Sequence, residues 1–444
     1  MATPTLQHLD SYRRETLLRT AAFLVRHRPP DEVDWPREIA HLFREVQVSL
    51  NDPPGIQRLK EQLDALLSER NTFEAQCSAQ GVALPLCELR DKLHLPPPAL
   101  LLMAATAIAH IDLAVTRLWQ WLQPVTGASP RSLGTWLDIF STTEPAWRLE
   151  LLAQLQRHGP LRALRLVDIQ EGSAPWLLRE TSVPQRLVHA LLGLPWQTPG
   201  QMLTRERPMH PSTIVLDAQE EERLRACAHN LPPHGRLVFS GEPGTGRTTR
   251  SHWLAAHMHR EVVSIHPGGD PHTSPQVLAA GLVEAALGTT LAIVRMDALD
   301  PIDNAELQRG LTATLVELTG HLHAPVAFVA PPRLAPQLTR ICGHAQEWPT
   351  PPMGVPLARR LWHTTLKALN ATPAPGAIDD MVNSFEIKPG TLVEACRQAT
   401  LAHHSNGPIS AAELRQAVHH QVRVNLSNLA ELHRTPLTWS DVIL

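Results

Sequence analysis

The stretch Leu237–Arg250, LVFSGEPGTGRTTR, carries the residues most able to do chemistry. A short apolar run enters a glycine-rich turn, and then a basic residue and two threonines open a helix. A phosphate-binding loop has the form G-x-x-x-x-G-K-[ST], in which backbone N–H groups at a helix start wrap phosphate oxygens. Gly241, Gly246 and Thr248 fit that form, and Gly244 and Pro243 supply further turn residues. The predicted cradle is Gly241, Pro243, Gly244, Thr245, Gly246, Arg247, Thr248 and Thr249. The lysine position holds Arg247, which keeps the charge as a planar fork instead of a compact ammonium. ATP or ADP is the implied ligand, with Mg²⁺ expected on Thr248 and on Asp297.

Asp297 ends the hydrophobic run LAIVRMD, the place where such folds hold the cation. The next position, where a carboxylate would activate the attacking water, is Ala298. Loss of a general base lowers a rate by about 10²–10⁴-fold. No catalytic residue is therefore assigned, and weak or no hydrolysis is expected. Asp300 and Asp303 read as a solvated turn, since a Ca²⁺ loop needs a glycine and a distal Glu at set spacing. The run PVAFVA ends in Ala330, Pro331 and Pro332, with no polar residue to sense a terminal phosphate. Arg333 and Arg340 read as surface arginines. His252, His257 and His259 share one predicted helix without an H-E-x-x-H pattern, so no metal site is expected there.

The elements around these residues divide the chain. With 444 residues, 43% hydrophobic and 19% charged, it is long enough for two or three domains with sizeable cores. Residues 1–70 and 71–200 read as helical. Within the second stretch, GPLRALRLVDI (159–169) and APWLLRE (174–180) read as a two-stranded ribbon. A helix over 182–193 follows, capped by Ser182 and stopped by Gly193. Together they suggest a winged-helix-like unit. From 205 to 352 the pattern alternates helix and strand, with strands at RLVFS, EVVSI, TTLAIVRM and PVAFVA, which indicates a parallel α/β sheet. Residues 195–211 read as a proline-broken linker. Residues 353–432 are helical again, and Ser410 with Glu413 forms a capping box.

Composition narrows the partners. Forty Lys+Arg against 43 Asp+Glu give a net charge of −3, which argues against a chain dominated by nucleic-acid binding. Arg157, Arg162 and Arg165 near the ribbon keep a DNA-reading wing as an alternative. Five scattered cysteines without a C-x-x-C pair fit reduced thiols in a cytoplasmic protein. The N-terminus lacks the apolar segment of a signal peptide. The most apolar run, Ala99–Ala109, is shorter than the ~20 residues a bilayer requires, so no membrane partner is expected.

The phosphate loop, the Asp297 strand and the helical tail together resemble an AAA+ module, an α/β nucleotide domain followed by a helical lid. The ordered stretches GPLRALRLVDI…SVPQRLVHALLG, RMDALDPID, PLARRLWHTTL, FEIKPGTLVEACRQATLAH and LTWSDVIL resemble the AAA+ ATPases encoded with extracellular contractile injection systems. The resemblance implies a winged-helix-containing helical region, then a divergent ATPase module, then a second and intact one. It also implies a role in assembly, remodelling or cargo handling of a phage-tail-like particle. The partners would be an active AAA+ ring and particle components. A nucleic-acid-binding adaptor and a purely structural AAA+ scaffold are the alternatives. Residues 433–444 are expected to begin the second module or to form a tail, with Trp439 packed poorly on the rest of the chain. In isolation the chain is expected to be a monomer or weak oligomer.

Overall fold

The computed structural model describes residues 3–27, 36–50, 52, 54–126, 132–170, 172–194, 202–268, 274–288, 290–297, 305–319, 321, 324–343, 345–403 and 407–426. Ala298, Asp300, Asp303 and Trp439 lie outside them. The chain forms two compact units. One comprises 1–204, 264–289 and 301–324, and the other 205–263, 290–300 and 325–444.

The first unit is helical. Its long first helix, Pro4–His27, buries Leu17, Ala21, Ala22 and Leu24 against helices Ile56–Ala79 and Leu133–Thr143. Buried charge is tolerated there because it is fully paired. Glu15 accepts hydrogen bonds from Arg19 at 2.9 Å and Arg70 at 2.6 Å. The two guanidinium groups lie over Trp147 and Tyr12. Helix Pro97–Ile111 is enclosed from Pro98 to Ala109, so this apolar run is a core helix. No single described helix is long and apolar enough to cross a membrane.

The expected ribbon is much reduced. β1 (Asp168–Ile169) and β2 (Thr181–Ser182) pair antiparallel over two residues each. Residues expected to extend β1 instead form the helical turn Pro160–Ala163. Proline at the first helical position is pre-set for a helix, and Leu161 and Leu164 are buried together at helical spacing. Residues 174–180 contain the 3-10 turn Trp176–Leu178 in place of a strand. Ser182 lies in β2 and caps nothing, since the following helix, Gln185–Leu191, starts after Pro184.

The second unit is built on a sheet. Its strands are β3 (Leu203–Glu206), β4 (Arg236–Ser240), β5 (Glu261–Ile265), β6 (Thr290–Arg295), β7 (Val326–Ala330) and β8 (Gln346–Pro349), in the order β3-β5-β6-β7-β4-β8. β4 runs parallel to both β7 and β8, and β6 runs parallel to β7. Every residue of β4 and β7 is buried, as expected for parallel strands covered on both faces. Leu237, Phe239, Ile293, Ala327 and Val329 form one core with Leu224, Trp253 and Leu254 of helices Ala218–Asn230 and Arg247–His257. β3 and β8 were not anticipated; β3 falls in the stretch that reads as a linker.

The C-terminal helices Val355–Ala368, Ala377–Ser384, Pro389–Ala402 and Ala411–Leu426 have a separate core around Trp362, Leu366, Met381, Leu392, Cys396, Leu414 and Val418. The capping box is present. Ser410 N–H donates to Glu413 Oε2 at 2.7 Å, and Glu413 N–H donates to Ser410 Oγ at 3.3 Å.

Candidate functional site

β4, between β7 and the edge strand β8, delivers the glycine loop. The Ser240 carbonyl accepts from Thr350 N–H at 2.8 Å, and Ser240 Oγ donates to Glu347 of β8 at 2.7 Å. Gly241 N–H donates to the Ala330 carbonyl at the end of β7. The loop therefore starts pinned between two strands. Gly244 (φ 84°) and Gly246 (φ 90°) then take left-handed backbone conformations that favour glycine. Thr245 closes the turn onto the Glu242 carbonyl through both its N–H and its hydroxyl.

Helix Arg247–His257 follows at once. Its first intrahelical bond runs from Arg250 N–H to the Gly246 carbonyl at 3.0 Å. The N–H groups of Arg247, Thr248 and Thr249 therefore lie at the open, positive end of the helix. Such an end, following glycines that let the backbone curl, is suited to an anion.

Arg247 is 4% exposed and divides its guanidinium between two tasks. Nη2 donates to Asp297 Oδ1 at 2.6 Å, while Nη1 is buried with no hydrogen-bond partner among the described residues. A buried donor left without a partner costs roughly 1–3 kcal/mol. Arg295 Nη2 reaches the other oxygen of Asp297 at 3.4 Å. The sheet has thus brought the loop and the Asp297 strand together, and the carboxylate faces two guanidinium groups.

Three further groups position the loop. Arg250, buried, donates to both oxygens of Glu220, at 2.5 and 3.0 Å, and through Nη1 to the Thr245 carbonyl at 2.9 Å. Gly390, at the start of helix Pro389–Ala402, donates its N–H to the Gly244 carbonyl at 2.8 Å. A Cβ on Gly390 would lie 3.1 Å from Gly244 Cα and 3.2 Å from its oxygen, so the two backbones touch. None of Glu220, Arg250 or Gly390 was singled out from the sequence. Arg250 sits one helical turn from Arg247, but its partner is far away in the chain. Gly390 is visible only as a glycine after a proline.

The remaining candidates scatter. Pro243 is exposed at the loop tip, and Thr248 and Thr249 are half-buried in the first turn. β7 ends in the apolar Ala330, as its sequence suggested, and Arg333 and Arg340 are exposed. His252 is buried with Nε2 3.8 Å from Glu206, while His257 stacks on Trp253. His259 lies beyond the helix end. Burial pulls the His252 pKa down, with Glu206 opposing.

No protein-family model and no curated protein matches the chain. Two solved structures are similar to part of the chain. A chain from work on the structural basis of katanin self-assembly is 12% identical at a TM-score of 0.39, covering 49% of this chain and 87% of its own. The crystal structure of the FIGL-1 AAA domain is 11% identical at a TM-score of 0.39, covering 51% of this chain and 91% of its own.

Proposed function

We propose that the second unit is a divergent AAA+ module that binds ATP or ADP by its phosphates and turns it over slowly or not at all. The observation that carries this reading is the buried, unpartnered Nη1 of Arg247, the first residue of its helix. A phosphate oxygen there would satisfy that donor together with the N–H groups of Arg247, Thr248 and Thr249. The left-handed Gly244 and Gly246 shape the cradle, and Arg250 holds it open through Glu220 and Thr245.

The phosphates fit these residues; a cation beside them does not. Mg²⁺ would have to reach Asp297, whose two oxygens face Arg247 and Arg295. A dication placed against two guanidinium groups is repelled by both. In this reading the site is a phosphate cradle without a cation position.

The biological role follows the sequence resemblance. The module would act beside an active AAA+ ring in assembly, remodelling or cargo handling of a phage-tail-like contractile injection particle. The adaptor reading has less to stand on, since the ribbon that would serve as its wing is two residues long on each strand.

Titration calorimetry of the purified chain with ADP and with ATP tests the proposal. Binding in the micromolar-to-millimolar range is expected, with Arg247→Ala weakening it by about tenfold or more, some 1.4 kcal/mol. No heat at millimolar nucleotide, with a folded protein, would leave a purely structural scaffold as the reading.

A further inference from the structure

Three helices of the first unit bring one histidine, one glutamate and one cysteine to a common point, and nothing in the nucleotide reading uses them. His8 lies on Pro4–His27, Glu74 on Ile56–Ala79 and Cys87 on Pro85–Leu93. His8 Nε2 is 2.9 Å from Glu74 Oε1 and 4.0 Å from Cys87 Sγ. The three donor atoms all lie within 4.8 Å of one another. They form the single such group of three or more among the described residues. Their contact is tertiary, so no sequence motif announces it.

We propose that His8, Glu74 and Cys87 form a binding site for a zinc-class divalent cation. Imidazole nitrogen, carboxylate oxygen and thiolate sulfur are the donors that Zn²⁺ takes, at about 2.0–2.3 Å each. Ligand atoms around a tetrahedral ion of that size stand about 3.3–3.8 Å apart. The observed separations straddle this range, so Cys87 would move inward and the His8–Glu74 pair would part by a few tenths of an ångström, both as side-chain shifts. Glu74 and Cys87 also line a cavity of about 460 Å³, together with Asn71, Ser78 and Arg90. Three protein donors with a fourth position open to water match a cation that keeps an exchangeable ligand.

The surroundings orient the donors. Arg90 donates to Glu74 Oε2 at 2.6 Å, which leaves Oε1 turned toward His8. Such outer contacts fix ligating groups in place. The His8 ring is 1% exposed and packs edge-on against Tyr12 and tilted on Phe73. On binding, the Cys87 thiol proton leaves to solvent as the sulfur–metal bond forms. The proton that Nε2 of His8 gives to Glu74 in the metal-free chain must also move, to Nδ1 or to solvent, so that Nε2 can bind the metal.

The test uses the full chain stripped of metal with EDTA. Zn²⁺ is titrated calorimetrically, and Co²⁺ is added separately as a spectroscopic stand-in. One equivalent of Zn²⁺ is expected, together with a near-ultraviolet thiolate-to-cobalt band. Cys87→Ser should abolish that band, and His8→Gln should weaken Zn²⁺ by at least about tenfold. Circular dichroism of each metal-free variant separates lost ligation from lost folding. Should His8→Gln fail to fold, the near-isosteric Cys87→Ser carries the decision. Absence of Zn²⁺ binding at micromolar protein would overturn the proposal. So would a cobalt spectrum without the thiolate band, or Zn²⁺ binding unchanged by Cys87→Ser, which would place the ion on other histidines.

Discussion

Arg247 holds Asp297. One nitrogen of the loop arginine lies 2.6 Å from the carboxylate two residues beyond β6, and its other terminal nitrogen is buried with no partner among the described residues. The residue that departs from the phosphate-loop pattern therefore also occupies the carboxylate a cation would use. A lysine has one ammonium to place. An arginine fork reaches the carboxylate with one nitrogen and keeps the other for an anion.

Nucleotide binding should then depend little on magnesium. ADP affinity measured by calorimetry in excess Mg²⁺ and in EDTA is expected to differ by less than about tenfold, or 1.4 kcal/mol. A much larger gain with Mg²⁺ would mean that the cation displaces Arg247 from Asp297.

Gly390→Ala should loosen the loop while leaving the C-terminal helices folded. The added methyl would meet Gly244 backbone at 3.1–3.2 Å, and backbone cannot swing aside as a side chain can. Faster amide hydrogen exchange across Gly241–Gly246 is expected, with unchanged exchange around Trp362 and Leu414. Equal exchange in the loop would show that the contact is relieved without cost.

Breaking the buried Arg250–Glu220 pair should destabilise the second unit strongly. Each side chain is 7% exposed, and removing one partner of such a pair typically costs about 3–5 kcal/mol. Urea denaturation of Arg250→Met should register this loss. The double variant Arg250→Met, Glu220→Leu should recover most of it, because no buried charge is then left alone.

The long parallel strands were legible because burial on both faces writes itself as unbroken apolar runs. Residues 237–239, 291–294 and 326–329 are such runs. β3 and β8 were not legible. In LTRE only Leu203 is buried, and in QEWP only Trp348 is. These edge strands are held by backbone pairing, which leaves no periodic trace in side chains. The ribbon failed for a different reason. Leu161, Leu164, Leu166 and Val167 suit a strand or a helical turn equally, and Pro160 decided for the turn. At the site, the positions of Arg247 and Asp297 could be read from motif spacing. Their mutual ion pair, and the support from Glu220 and Gly390, arise only when the chain folds.

Acid should weaken the C-terminal helical bundle through Glu413. Hydrogen bonds from Ser410 and from His403 hold this carboxyl down, from 4.5 to about 2. A group whose folded pKa is depressed stabilises the fold above its unfolded pKa. That contribution is therefore complete above about pH 4.5 and lost as pH falls to about 2. Helical signal from the bundle followed against pH should fall in this window. Glu413→Gln should flatten that part of the curve.

Gly244 and Gly390 constrain how the sequence can vary. A left-handed φ of 84° holds Gly244 to glycine, and the closeness of Gly244 backbone holds Gly390 to the same choice. The first restriction is local, but the second depends on a partner far away in the chain. Among relatives that keep this packing, the two positions should be glycine together. Where one acquires a side chain, the other should be released as well, because the loop and the helix will already have separated. Co-variation between these two columns would thus report whether a given relative keeps its C-terminal helices seated on the loop, without any structure of that relative.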